Sequence, residues 1–438
     1  MQNIENTQKK SNMQKVALTA LAGTSIEWYD FFLYGAAAAL IFPTAFFGEM
    51  PPTTALLLSL LTFAAGFIAR PIGGIIFGHF GDKVGRKKTL ISALMLMGIS
   101  STLIGLLPTY AMIGVAAPIL LTTLRFAQGL AIGGQWGGAM LLVTESAPSD
   151  QRGYYGAFAQ AGAPIGVILA NLALIITSAL VSEEFFNTWG WRIPFLASAV
   201  LILISMYIQL NLEDTDAFKA LTNNKDTQSN ENIQKSPVVV AIRKYPKRIF
   251  LAAGAFLSVQ VTFYILIAFM LAYGVTSANM ARDDMLAAVL IASAIMVPIQ
   301  FVFSSYSDRH GRKGIFMLGA VLTGIWAFAI FPLVDTGNFY LIVLAITGGL
   351  VFLAMMYGPQ AAFFTELFST EVRYSGATLG YQFGAIVGGA FAPTIAVKLW
   401  TEFDIIWVSA YIALASLLTL ISVMALTETY QSDLNNTD

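Results

Sequence analysis

The sequence predicts an all-α polytopic membrane protein, with twelve transmembrane helices in two pseudo-symmetric six-helix halves. Three observations lead there. The 438-residue chain is 57% hydrophobic and only 11% charged. A soluble domain carries roughly 25% charge, so this chain has too little polar surface to face water throughout. Apolar runs long enough to cross a bilayer recur along its whole length. A charged cassette also occurs twice, about half a chain apart. Gly78-His79-Phe80-Gly81-Asp82-Lys83-Val84-Gly85-Arg86-Lys87-Lys88 is answered by Ser304-Ser305-Tyr306-Ser307-Asp308-Arg309-His310-Gly311-Arg312-Lys313. Thr144-Glu145 with Arg152 is likewise answered by Thr365-Glu366 with Arg373. Secondary transporters are commonly built from such duplicated halves, with the substrate site between them.

The elements follow in order. Residues 1–15 are polar and form an N-terminal tail. The apolar run 16–42 is too long for a signal-peptide core and reads as a retained first span. Spans near 53–77, 89–107, 113–144, 153–181 and 191–211 complete a first bundle over 16–211. Residues 212–248, rich in Asn, Lys, Asp and Gln, read as a linker with room for a short amphipathic helix. Spans near 249–274, 284–304, 314–334, 339–366, 374–400 and 404–427 make a second bundle over 249–427, leaving 428–438 as a C-terminal tail.

Charge sets the orientation. Of 24 Lys and Arg residues, one side holds only Arg192, Arg282 and Lys398, and Arg70 and Arg125 lie inside spans. The rest fall in the tails, the linker and the loops of the other side. Both termini and the linker are therefore expected in the cytoplasm; the chain is expected to be multi-pass in the cell (inner or plasma) membrane of a bacterium. Trp189 and Trp191 are expected in the outer interfacial belt. Pro71, Pro164, Pro298, Pro359 and Pro393 are expected to kink spans.

Composition also excludes functions. A net charge of −1 with no basic face argues against a nucleic-acid partner, and zero Cys excludes thiolate chemistry and disulfides. With no His inside a span, neither a metal site nor an enzyme is expected. The expected partners are lipid and a small-molecule substrate, the protein acting as a monomer.

In each cassette, Gly permits a tight turn and close helix approach, while Asp and Arg at helix ends suit charge-assisted contacts that latch two helices. The first loop resembles the signature loop of the major facilitator superfamily. Glu27-Trp28-Tyr29-Asp30-Phe31, Ala69-Arg70-Pro71-Ile72-Gly73-Gly74, Gly133-Gly134-Gln135-Trp136-Gly137-Gly138, Trp189-Gly190-Trp191-Arg192-Ile193-Pro194-Phe195 and Thr365-Glu366-Leu367-Phe368 resemble its metabolite:proton symporter family, most of all the shikimate branch. The resemblance covers nearly the whole chain. It implies the major facilitator fold and uptake of shikimate, a related carboxylate or a zwitterionic osmolyte. Protons are then the coupling ion and no cofactor is expected. One departure is Gln135, where the family more often carries Glu.

Glu27, Asp30, Arg70 and Arg125 lie inside spans, where each charge costs at least about 2.5–3.5 kcal/mol and so demands partners or a wet cavity. At about 100° per residue, Glu27, Asp30 and Tyr34 share a stripe of about 60°, and Arg125, Gln128 and Gln135 share another. At about 1.5 Å per residue, Asp30 and Arg125 reach similar depth. They are the candidate proton-coupling pair, because an arginine drawn away from an acid changes its proton affinity. The resemblance implies the same pair, and Glu27 is the rival carrier. Arg70 can reach toward Glu27.

A small anion needs an arginine, amides, hydroxyls and an aromatic wall. Candidate contacts are Arg70, Tyr34, Gln128, Gln135, Trp136, Gln160, Asn171, Gln260, Tyr357, Gln360, Tyr381 and Gln382. Asp82, Arg86, Glu145, Arg152, Asp308, Arg312, Glu366 and Arg373 fall at cytoplasmic helix ends as candidate gate or structural bridges. Uptake of a small organic anion leads, ahead of a proline- or betaine-like zwitterion and of proton-coupled efflux.

Overall fold

The computed structural model describes the backbone of residues 2–84, 86–213, 237–369 and 372–430. Side chains of residues 2–12, 78–79, 81–84, 86–87, 90, 134–139, 141–142, 208–213, 237–239 and 374 fall outside that description. The twelve membrane helices are α1 (Gln2–Leu40), α2 (Pro52–Val84), α3 (Arg86–Leu106), α4 (Ala116–Ser146), α5 (Arg152–Leu180), α6 (Ile193–Glu213), α7 (Pro246–Thr276), α8 (Arg282–His310), α9 (Arg312–Val334), α10 (Phe339–Glu366), α11 (Ser375–Glu402) and α12 (Ile406–Ala425). Ten are long and apolar enough to span by themselves. Of the other two, α3 has its apolar part at Ile91–Leu106, and α1 carries Glu27 and Asp30 within its apolar stretch.

Helix pairing repeats between the halves. In the first, α1 packs on α5, α2 on α4 and α3 on α6; in the second, α7 packs on α11, α8 on α10 and α9 on α12. Across the halves, α5 meets α8 and α2 meets α11, the same contact under the same exchange. The twofold pattern of the sequence is therefore a twofold pattern of packing. At its centre, α7 is buried along almost its whole length.

Small residues set the closest approach. A Cβ on Gly129 or Gly133 of α4 would run into the carbonyl oxygens of Gly66 and Arg70 on α2. Without a hydrophobic force between helices in lipid, such close backbone packing is a main source of association. Gly133→Leu is expected to abolish the folded protein, measured as loss of its monodisperse peak in detergent. A normal peak would show that α2 and α4 can separate.

Several expectations change. The tail at 1–15 is not separate: α1 starts at Gln2, and Met13, Val16, Ala17 and Ala20 pack on Val143, Ala147 and Tyr155. Of the linker, Pro237–Lys244 is a short helix and Pro246 opens the first turn of α7, where a missing N–H costs nothing. Trp191 leaves the expected interfacial belt for the core, against Phe42, Phe46 and Phe195. Pro393 sits in the first turn after a π-helical stretch rather than inside an α-helix, and Pro332 is a further internal proline. The π-helical stretches, Ile265–Phe269 in α7 and Ala385–Ala390 in α11, have no periodic signature in sequence. The second lies against the α-helical turns that precede the first, with Gly388 facing Gln260 and Gly389 facing Tyr264.

Candidate substrate and proton site

Arg125 on α4 is fully buried and sits over the ring faces of Phe31, Tyr34 and Phe63, at 4.2, 4.2 and 4.7 Å from their centroids. A Cβ on Gly66 would come within 2.8 Å of its Nε, so the glycine makes the room. Its Nη1 donates to Gln128 Oε1 at 3.0 Å, and Gln128 Nε2 donates to Ser101 Oγ at 2.7 Å. Asp30 on α1 accepts a short hydrogen bond from Ser198 on α6, and its Oδ2 has no partner. The expected direct Asp30–Arg125 ion pair is therefore not formed. The two belong to one buried cluster, with Ser101 beside Asp30. Tyr34 and Gln128, expected at the substrate, are spent here. The Tyr34 hydroxyl lies 2.6 Å from Thr62 Oγ1.

Glu27 on α1 is half-buried, while Arg70 on α2 is fully buried. Its guanidinium lies among the rings of Trp28, Phe31 and Phe67, at 5.5, 4.4 and 4.4 Å. Its Nε and Nη2 are buried without a hydrogen-bond partner. Trp28 forms part of the wall of a narrow cavity between the halves, shared with Phe32, Gln260, Phe263, Tyr264, Tyr357 and Tyr381. The cavity holds about 10 Å³ of space open to water, room for about one molecule. Gln260 Nε2 lacks a partner there, as do both amide atoms of Gln360 and Oε1 of Gln382 nearby in sequence to the lining tyrosines. Buried polar atoms without partners are costly, and a bound polar solute is what such atoms are suited to receive.

Two other candidates are already used. Gln160 donates to the Tyr357 carbonyl and Asn171 to the Leu286 carbonyl, each at 3.2 Å and each joining the halves. The side chains of Gln135 and Trp136 lie outside the described residues. Tyr264, Phe32 and Phe263 were not singled out by sequence, where an aromatic within a span has no signal of its own.

At one end, a charge cluster ties the halves together. Asp308 accepts the Gly153 and Tyr154 N–H groups, each at 2.8 Å. These are orphan donors of the first turn of α5, where a negative charge is favoured. Arg312 bridges Asp308 at 2.5 Å and Glu366 at 3.1 Å. Glu366 thus pairs with Arg312 of the Asp308 loop and with Thr429 Oγ1. Arg373 reaches Glu145 of the other half at 3.6 Å. Arg152 is buried within electrostatic range of Glu366. The side chains of Asp82 and Arg86 are outside the described residues.

The family model described as Major Facilitator Superfamily matches residues 20–379. The chain belongs to the major facilitator superfamily. It is 40% identical over 432 residues to the inner membrane metabolite transport protein YhjE of Escherichia coli K12, covering 97% of this chain and 96% of that one. It is 36% identical over 411 residues to the shikimate transporter of the same organism, covering 94% and 93%. Its fold matches the proton:xylose symporter XylE with a TM-score of 0.72 at 17% identity, over 98% of both chains. The protein is a multi-pass membrane transporter, not an enzyme.

In a major facilitator the pathway must be closable at both ends, and here the second end is tied too. Arg282 at the start of α8 lies over the Phe186 ring at 4.0 Å, and its Nη2 donates to Ser178 Oγ at 2.8 Å. Ser178 in turn donates to Asp283 at 2.9 Å. Spacing marks Arg282 only as a loop charge, because Phe186 and Ser178 lie far from it in sequence. Arg282→Ala is expected to raise solvent access to the cavity from this end. Unchanged labelling of a cysteine placed at Asn171 would show that the cluster holds nothing shut.

Proposed function

We propose that this chain is a proton-coupled importer of a small organic anion, shikimate or a related carboxylate, working by alternating access between two six-helix halves. One observation carries it: the Arg70 guanidinium is buried beside the central cavity with two N–H-bearing nitrogens unpartnered. A carboxylate supplies the fork-shaped acceptor and the opposite charge that this group lacks. Gln260, Gln360, Gln382, Tyr357 and Tyr381 are then the polar and aromatic contacts for the rest of the solute. Asp30 carries the proton with Arg125 as its alternating partner, and Glu27 is the rival.

The Asp308–Arg312–Glu366 cluster and the Glu145–Arg373 bridge serve as the cytoplasmic gate, with Arg152, and Asp82 and Arg86 act at the matching loop of the first half. Both termini then face the cytoplasm of a bacterial inner membrane. A second reading has one specific support: six aromatic side chains around the cavity suit a quaternary ammonium group, as in a betaine.

The test is uptake of radiolabelled shikimate and glycine betaine into proteoliposomes, with and without an inward proton gradient and a protonophore. Shikimate accumulation abolished by the protonophore is expected. Accumulation of betaine alone would replace the anion with the zwitterion. Asp30→Asn is expected to abolish accumulation while leaving counterflow; intact gradient-driven uptake would shift the proton role to Glu27.

A further inference from the structure

At the Asp30–Arg125 cluster, a buried carboxylate and a buried guanidinium share one polar island in the membrane core, yet neither is satisfied by the other. Asp30 Oδ2 and Arg125 Nε and Nη2 have no hydrogen-bond partners. Arg125 spends its Nη1 on a neutral amide, Gln128, one turn along its own helix. The Gln128 amide is itself held from outside. Its NH2 donates to Ser101 on α3, which turns its carbonyl toward Arg125. Ser101 also faces Asp30, and Ser198 on α6 holds the other carboxylate oxygen.

We infer that Gln128 and Ser101 form a clasp that holds Arg125 off Asp30 in this closed state. Release of the clasp lets the two charges meet during the transport cycle. This rests on the assignment of Asp30 as proton carrier made above. Gln128 and Ser101 are positioning residues: their side chains decide whether Arg125 points to the amide or to the acid. The physical basis is the asymmetry of buried hydrogen bonding. An unpaired buried charge is costly, so a guanidinium with two free nitrogens next to an acid with a free oxygen stays apart only while something directs it. The other titratable or charged groups facing this pair are Tyr29 and Tyr34 on α1, Arg70 on α2 and Tyr264 on α7. The neighbouring α3 and α6 present hydroxyls, Ser101 and Ser198.

The experiment compares Asp30→Asn, Arg125→Gln and the double variant by thermal melting of the purified protein, in the natural background and in Gln128→Leu. With the clasp present, the two changes are expected to be nearly additive. In Gln128→Leu the freed arginine pairs with Asp30, and non-additivity of about 3 °C or more is expected. Equal non-additivity in the two backgrounds would overturn the clasp. Should Gln128→Leu fail to fold, Ser101→Ala removes the hydrogen bond that orients the amide, together with the Ser101 contact to Asp30, and carries the same expectation. In proteoliposomes, the ratio of proton-driven shikimate accumulation to shikimate counterflow is expected to fall at least about tenfold in Gln128→Leu and in Gln128→Glu, which ties the arginine down. A proportional fall of both would assign Gln128 to substrate binding and sink the proposal. The melting cycle needs no substrate, so a natural protein that ignores the proton gradient would refute the transport reading while the cycle still decides the clasp.

Discussion

Arg70→Gln is expected to reduce the apparent affinity for a carboxylate substrate on the order of 100-fold, measured as the half-saturating concentration in proteoliposome uptake. Hydrogen bonds to a charged group contribute roughly 1.5–3 kcal/mol each, and a bidentate guanidinium makes two. Each 1.4 kcal/mol is about tenfold in a binding constant, so two orders of magnitude is a conservative figure. Arg70 also lies 4.4 Å from the ring centres of both Phe31 and Phe67, and part of any loss could be packing. Two controls separate the causes. Arg70→Lys keeps the charge but loses the planar fork and is expected to recover little. The methyl ester of the substrate cannot use the cation, so the natural protein should prefer the free acid strongly, and Arg70→Gln should not. An undiminished preference in Arg70→Gln would mean that the arginine only packs between rings.

The second large effect is at the cytoplasmic gate. Asp308→Ala removes two charge-assisted hydrogen bonds to the Gly153 and Tyr154 N–H groups across the halves. At about 1.5 kcal/mol or more each, their loss shifts the closed–open balance by roughly 100-fold toward open. The chain has no cysteine, so a single reporter gives a clean signal. Ala361 is fully buried against Gly156 of the other half. An Ala361→Cys reporter is expected to react with a soluble maleimide at least about tenfold faster when Asp308→Ala is present. No change in rate would mean that other contacts close this end. Arg312→Ala should behave differently. It strands the buried Glu366 carboxylate, and removing one member of a buried pair costs about 3–5 kcal/mol. Its signature is a lower melting temperature, on the order of 5 °C, rather than selective opening.

The parts legible in the sequence are those that lipid enforces on one helix at a time. A span must be apolar for about 20 residues, so the spans could be placed, although α1, α2 and α8 run on as polar helix beyond them, from Gln2 and to Val84 and His310. A charge inside a span is expensive, so Glu27, Asp30, Arg70 and Arg125 stood out without any knowledge of their neighbours. The duplicated Asp-x-x-Gly-Arg-Lys cassettes announced two related halves, and the pairing of α1, α2 and α3 with α5, α4 and α6 recurs in the second half.

What the sequence could not determine is which group each polar side chain meets. Helical phase places Gln128 beside Arg125 on one helix. Whether that arginine then bonds the amide or Asp30 depends on the depth and rotation of α1, α3 and α4 relative to one another. Gln160 and Asn171 share a face of α5 as expected, but that face meets backbone carbonyls of α10 and α8 rather than a solute. Glu366 and Arg373 are marked by spacing only as charges at one helix end, and the fold decides that Arg312 meets the first and Glu145 the second. The π-helical stretches of α7 and α11 and the Arg282 cluster likewise arise only where two helices press together. Sequence by itself determined the twelve helices, their duplication and the buried charges, because each of these is a local bargain between a segment and the bilayer. The tertiary structure alone decided the partners, because a hydrogen bond between helices is set by distances that no spacing along one chain contains.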